Sequence, residues 1–126
     1  MGLRGDFSKF ITSIRFALAG IVHALLTERH VQIHFFAAFF AILLAFLLSV
    51  SKQEWLVLIV VISLTISLEL VNTAVERVVD LVSERYHPLA KHAKDCAAGA
   101  VLISAIASVI IGCIIFIPHI IELFGK

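Results

Sequence analysis

Three uninterrupted apolar runs leave this chain little choice of fold. Residues 35–50 (FFAAFFAILLAFLLSV), 55–68 (WLVLIVVISLTISL) and 96–117 (CAAGAVLISAIASVIIGCIIFI) contain no charged side chain. In lipid a backbone must satisfy its own N–H and C=O groups, so runs of this kind are stable as membrane-spanning helices. Composition agrees. The chain has 126 residues, 61% of them hydrophobic and 15% charged, where a soluble domain has about 45–50% and roughly 25%. The reading is an all-α integral membrane protein with one domain, residues 1–126. A chain this small does not enclose a large pocket alone, which leaves room for a site shared between subunits.

Charge and cysteine content exclude other classes. The formal net charge is +1 and no basic stripe with interleaved aromatics occurs, which argues against nucleic acid. Cys96 and Cys113 are 17 positions apart on one expected helix, roughly 25 Å at about 1.5 Å per residue, far beyond disulfide reach. They are expected to be free, packed thiols. The first 29 residues show no signal-peptide pattern.

Before the first apolar run, Phe7, Phe10, Ile11, Ile14, Leu18, Ile21, Val22 and Leu25 recur at three- and four-residue spacing, with Ser8, Lys9, Thr12 and His23 opposite. This predicts an amphipathic helix over about 6–29 lying in the interface plane. The alternative is a helix packed on the protein's own core. Transmembrane helices are expected at 33–50, 55–80 and 94–118, with a turn at 51–54, a polar loop at 83–94 and Pro118 closing the third. Eight of the ten Lys and Arg residues (Arg4, Lys9, Arg15, Arg29, Arg77, Arg85, Lys91 and Lys94) flank one side, and Lys52 and Lys126 the other. That asymmetry puts the N-terminus in the cytoplasm and the C-terminus outside. Ala100, Ser104, Ser108 and Gly112 repeat every four residues, a small-residue face expected at a helix–helix contact.

The second span ends in Glu69-Leu-Val-Asn72-Thr73-Ala-Val-Glu76-Arg77-Val-Val-Asp80. At about 100° per residue, Glu69, Asn72, Thr73, Glu76 and Asp80 share one stripe. Ionisable groups in a membrane helix are costly and are retained for function. Glu69 lies 14 residues past Trp55, roughly 21 Å along the helix at about 1.5 Å per residue. That depth is just below the cytoplasmic headgroups, where Glu69 can meet a lipid alcohol and take its proton. Glu76, two turns on, can meet a water-borne cation or nucleotide. The bland reading is that these groups only pair with one another and with Lys94 or Arg77.

Glu28 lies on the same side as Glu76, and two converging carboxylates suit Mg²⁺, although from the residues alone a solvated charge pair is the favoured reading of Glu28. Lys94 can pair a phosphate, and helix capping suffices to explain Asp95. His30 and His34 sit one turn apart but lack further ligands, which favours an interfacial role over zinc. No G-x-x-x-x-G-K-[ST] loop, G-x-G-x-x-G turn or nucleophile elbow occurs.

The stripe, together with Tyr86-His-Pro-Leu-Ala90 and Ala93-Lys-Asp-Cys-Ala-Ala-Gly-Ala-Val-Leu102, resembles the signature of the small prokaryotic diacylglycerol kinases over nearly the whole chain. Thr27-Glu-Arg29, His34 and the 87–91 segment look closer to the undecaprenol kinase branch. The resemblance implies a homotrimeric inner-membrane lipid kinase with a surface helix and three spans, and a site built across neighbouring subunits. It implies transfer of the ATP γ-phosphate to a lipid alcohol, undecaprenol ahead of diacylglycerol. Glu69 would be the general base and Asn72 would orient the site. Glu28 and Glu76 would hold Mg²⁺ with the ATP phosphates. Lys94 and Asp95 would contact the nucleotide, and Lys9, Tyr86 and His87 would line its region, with Phe16 and Arg85 beside them in place of the residue types relatives carry. Ala17, Ala19, His30 and Gln32 also depart from the pattern. Two readings of another class are a small proton-coupled transporter using Glu69 as carrier, and a non-catalytic scaffold.

Overall fold

Four α-helices follow one another along the chain: α1 (Leu3–Thr27), α2 (Arg29–Leu47), α3 (Lys52–Val82) and α4 (Pro88–Phe124). The structure is a computed structural model describing residues 3–125, so Lys126, counted above on the outer side, lies outside the described residues. All four helices are long and apolar enough to cross a membrane.

Three contacts fix how α3 and α4 lie. Asp80 meets Lys94, Thr65 meets Ser108, and Glu54 meets His119. Residue numbers fall on α3 as they rise on α4, so the two helices form a long antiparallel pair. The small-residue face of α4 is at this contact, with Ser104 buried and Ser108 bonded to Thr65. Helix α2 runs antiparallel to α3 and also touches α4, with the Phe46 and Trp55 rings 4.7 Å apart at one end and His34 against Glu69 towards the other. A small core of Ala45, Val50, Leu58 and Ile115 closes the Trp55 end.

Four polar residues, Thr65, Glu69, Asn72 and Ser104, are buried beside only six apolar ones. Most large apolar side chains of α2, α3 and α4 face outward. Polar groups inside and Phe, Leu and Ile outside is the arrangement a lipid solvent favours.

Helix α1 begins at Leu3, somewhat before the expected start. Only a one-residue break separates it from α2. Glu28 is extended there (φ −107°, ψ 115°), yet its N–H still donates to the Ala24 carbonyl at 2.8 Å and its own carbonyl accepts from Gln32 N at 3.1 Å. The Gln32 side chain reaches back to the Leu25 carbonyl, also at 3.1 Å, and bridges the break.

The connections differ from expectation in three places. The 51–54 segment is mostly helix. Ser51 caps α3 by accepting from Glu54 N (3.2 Å) while Glu54 Oε2 accepts from Ser51 N (2.7 Å). This is a reciprocal capping box, and the turn itself is made by Ser49 at φ 51°. The expected polar loop at 83–94 is helical from Pro88, because His87 Nδ1 accepts from Leu89 N at 3.1 Å and proline at the first helical position wastes no donor. Asp95 therefore lies inside α4 and is not its cap. Pro118 does not close the helix, which continues to Phe124; a missing proline N–H is tolerated in membrane helices. Cys96 and Cys113 are free as expected, but both are exposed in the single chain rather than packed.

Candidate active site

The helical phase of α3 decides which of its polar groups point inward. Glu69 and Asn72, three residues apart, are 3% and 5% exposed. Glu76, one turn further on, is half-buried, and Asp80 is exposed. The stripe thus climbs from a closed interior to an open end. Asn72 Nδ2 donates to Glu76 Oε1 at 3.4 Å, while Asn72 Oδ1 is buried without a partner. An orphaned buried carbonyl oxygen is unfavourable, so Asn72 Oδ1 keeps unused accepting capacity beside Glu76.

Two neighbouring elements supply partners to the stripe itself, and a third pairs with the adjacent Arg77. From α2, His34 Nε2 stands 3.5 Å from Glu69 Oε2. From the α1–α2 junction, Glu28 Oε1 accepts from the Arg77 guanidinium. From α4, Lys94 Nζ donates to Asp80 Oδ1 at 2.5 Å. Asp95 pairs with Lys91 one turn earlier on α4, also at 2.5 Å. The bland pairing reading therefore holds for Arg77, Lys94 and the Asn72–Glu76 bond, but it does not cover Glu69, whose partner is His34 on another helix.

Two cavities flank this arrangement. A groove of about 320 Å³ runs between α2, α3 and α4, starting at Ile33 and His34 and ending at Leu58 and Phe116. Its walls are almost wholly apolar, combining small residues such as Ala37, Ala41 and Gly112 with large ones such as Leu58, Ile62 and Phe116, with His34, Thr65 and Ser108 the polar exceptions. A second cavity of about 330 Å³ lies between α1 and α3, lined by Gly20, His23, Thr27, Thr73 and Arg77 among others. One is a greasy slot that does not include Glu69 itself but is lined at one end by its partner His34. The other is a polar-edged cleft beside the Glu28–Arg77 pair, next in sequence to Glu76.

The remaining expected nucleotide residues are peripheral in the single chain. Lys9 and Phe16 are exposed on α1, and Arg85 and Tyr86 on the α3–α4 link. Among the described residues, none of their side chains hydrogen-bonds to the stripe. His87 is exposed, serves as the α4 cap, and lines a further cavity of about 470 Å³ with Val79, Ser83 and Ala93. No cluster of three or more His, Cys, Asp or Glu able to hold a metal occurs among the described residues. Two residues make site contacts that the sequence did not indicate, although His34 was read as interfacial. They are His34, whose contact with Glu69 crosses between helices and leaves no periodic signal, and Thr65, whose place one turn before Glu69 on the same face was the available clue.

The donor set is compatible with a hard divalent cation. Mg²⁺ is usually held by one or two carboxylates with phosphate oxygens and water completing its shell. Glu28 and Glu76 are carboxylates of that kind.

Comparison with known proteins bears on the same segment. Residues 15–116 match the family model described as prokaryotic diacylglycerol kinase. The chain is 44% identical over 115 residues to the undecaprenol kinase of Bacillus subtilis, covering 91% of this chain and 94% of that one. It is 46% identical over 114 residues to a diacylglycerol kinase of Synechocystis, covering 90% of this chain and 65% of the relative. To the Escherichia coli K12 diacylglycerol kinase it is 32% identical over 113 residues, covering 90% and 93%.

Proposed function

The chain belongs to the prokaryotic diacylglycerol kinase family and is a multi-pass membrane lipid kinase, and from that premise we propose that it transfers the γ-phosphate of ATP to undecaprenol. The observation that carries the chemical assignment is the burial of Glu69 against His34, which lines an apolar groove, on a stripe that opens at Glu76. An oily acceptor can lie in the groove with its hydroxyl near Glu69, while a water-borne donor enters from the Glu76 end. The greater coverage of the undecaprenol kinase relative, with its 44% identity, favours the polyprenol over diacylglycerol. Diacylglycerol remains the second reading, because it presents one primary hydroxyl at a similar depth and the Synechocystis relative is slightly higher in identity, at 46%.

In this account Glu69 accepts the hydroxyl proton of the lipid as its oxygen attacks the γ-phosphorus. Asn72 ties Glu69's helical face to Glu76 and offers its free Oδ1 to the reacting groups. Glu28 and Glu76 would hold Mg²⁺, which supplies charge neutralisation at the β- and γ-phosphates. Lys94 and Asp95 lie at the open end for the nucleotide, with Lys9, Phe16, Arg85, Tyr86 and His87 around its approach. For Lys94 and Asp95 to serve it, they must leave Asp80 and Lys91, and exposed pairs of that kind are cheap to exchange. Likewise Glu28 must share or release Arg77 when the cation arrives.

In this reading α1 lies in the interface and α2, α3 and α4 span the inner membrane, with the N-terminus cytoplasmic. The excess of Lys and Arg beside α1 and between α3 and α4 supports that orientation. Self-association as a homotrimer accounts for the outward-facing Lys9, Tyr86 and Arg85, which would complete a neighbour's site. A proton-coupled transporter would use Glu69 but not the gathering of Glu28, Glu76 and Lys94 at one end.

The test is purified protein with labelled ATP, Mg²⁺ and either undecaprenol or diacylglycerol in mixed micelles. Label should enter undecaprenol preferentially. A strong preference for diacylglycerol would reverse the substrate assignment, and no labelling of either lipid would remove the assignment altogether.

A further inference from the structure

Phosphorylating an alcohol with ATP releases a proton at every turnover. If Glu69 takes that proton, it must lose it before the next cycle, yet its side chain is only 4% exposed. Water does not reach such a carboxylate freely, so resetting it needs a second group.

The surroundings narrow the choice. Asn72 and Thr65, the buried polar neighbours on α3, have no proton-accepting side chain at working pH. Helix α4 presents Ala105, Ser108, Val109, Gly112 and Phe116 to the groove, none of them titratable in that range. Glu76 lies two turns away, among the groups assigned to the cation. Glu28, at the α1–α2 junction, is engaged by Arg77. His30 is one turn earlier on α2 and exposed. Only His34 makes an ion-pair contact with Glu69 among the described residues, at 3.5 Å from Nε2 to Oε2. Its side chain is 21% exposed against 4% for Glu69, so it touches both the closed interior and the opening of the groove. The distance is long for a hydrogen bond, as catalytic contacts often are before substrate binds.

We propose that His34 is the proton exit for Glu69; this rests on the kinase reading above. In the chemical step the lipid O–H bond breaks and its proton goes to Glu69, while the lipid O–P bond forms and the bond from the γ-phosphorus to the ADP oxygen breaks. The proton then passes from Glu69 Oε2 to the lone pair on Nε2 of neutral His34. The imidazolium gives a proton to water at the mouth of the groove. Glu69 returns to carboxylate and His34 to neutral imidazole, so one proton leaves per phosphate transferred. Histidine suits the task because its charge changes in the physiological pH range.

The experiment separates a first turnover from later ones. Rapid-quench measurement of labelled lipid phosphate is combined with a pH-indicator dye, using the whole protein in mixed micelles with Mg-ATP. His34→Gln keeps a polar side chain at the site but cannot carry a proton, and His34→Asn is run beside it. The first phosphate per site should form at close to the wild-type rate in both variants. Steady-state turnover should fall at least ~tenfold, as expected when one proton-transfer group is lost, and proton release should lag behind the first phosphate. An equal fall in first-turnover and steady-state rates would mean that His34 only holds Glu69 in place, and would overturn the proposal. Unchanged rates in both phases would overturn it as well. Failure of the kinase reading looks different, since wild-type protein would then label no lipid at all.

Discussion

The Thr65–Ser108 contact allows a prediction whose size and asymmetry both follow from hydrogen-bond bookkeeping. The two hydroxyl oxygens are 2.9 Å apart between α3 and α4. Ser108 Oγ already donates its single proton to the Ser104 carbonyl at 2.7 Å, so Thr65 must be the donor in the interhelical bond. Thr65→Val then removes a donor but leaves Ser108 with its backbone acceptor. Ser108→Ala instead strands the Thr65 hydroxyl at a position only 7% exposed. An unsatisfied buried hydroxyl costs about 1–3 kcal/mol, while interhelical hydrogen bonds in membranes average about 0.6 kcal/mol with a maximum near 1.7 kcal/mol. Ser108→Ala should therefore destabilise by about 1–2 kcal/mol, and Thr65→Val by no more than about 1 kcal/mol. In the double variant the Ser108→Ala penalty should largely vanish, giving a coupling near 1 kcal/mol. The assay is detergent-titrated unfolding in mixed micelles followed by far-ultraviolet circular dichroism. Protein concentration is held fixed, because association shifts apparent stability. A larger loss for Thr65→Val than for Ser108→Ala, or additive single effects, would refute the assignment of donor and acceptor.

Other predictions concern the two ends of α3. Glu76→Gln should raise the Mg²⁺ and ATP concentrations needed for half-maximal activity by about tenfold or more, as expected when one of few carboxylate ligands is lost. Unchanged Mg-ATP dependence would contradict its role. Lys94→Gln should leave the unfolding midpoint nearly unchanged, because its pair with Asp80 is exposed, while weakening ATP binding; the reverse pattern would make Lys94 a structural residue. At the opposite end, the Ser51 backbone N–H, then the His119 imidazole, hold the Glu54 carboxyl below its ordinary value of 4.5. A depressed carboxyl contributes stability that is present above about pH 4.5 and is lost as pH falls through its lower folded-state value. Wild type and Glu54→Gln should therefore differ in unfolding midpoint at neutral pH and converge below that range. A gap that persists or widens in acid would contradict this.

How much of this was readable from sequence depended on whether a signal ran along one helix or between helices. The Glu69–Asp80 stripe obeys helical periodicity, so its shared face could be read directly, and burial of Glu69 and Asn72 agrees with it. The Ser104–Ser108 face of α4 was legible for the same reason. Helix ends were not, where polar composition masked capping chemistry. His87-Pro88 carried the marks of a helix start, and Ser51 with Glu54 those of a capping box, but the charges around them suggested loops. Pro118 misled in the other direction, because a proline that stops a helix in water is tolerated in lipid. Contacts across helices had no local signature: His34 with Glu69, Glu54 with His119 and Glu28 with Arg77 join residues 35, 65 and 49 positions apart. Those contacts depend on which faces the helices turn to one another, and that is a property of packing.

The central claim is that Glu69 acts on the lipid hydroxyl and not on the nucleotide. The direct measurement compares wild type with Glu69→Gln for two quantities on the same preparation: the rate of label transfer from ATP to undecaprenol, and the equilibrium affinity for Mg-ATP. Loss of a general base predicts a fall in kcat of about 10²–10⁴ with nucleotide affinity essentially unchanged. Turnover retained near the wild-type rate, or a loss matched by an equal loss of Mg-ATP affinity, would contradict the account.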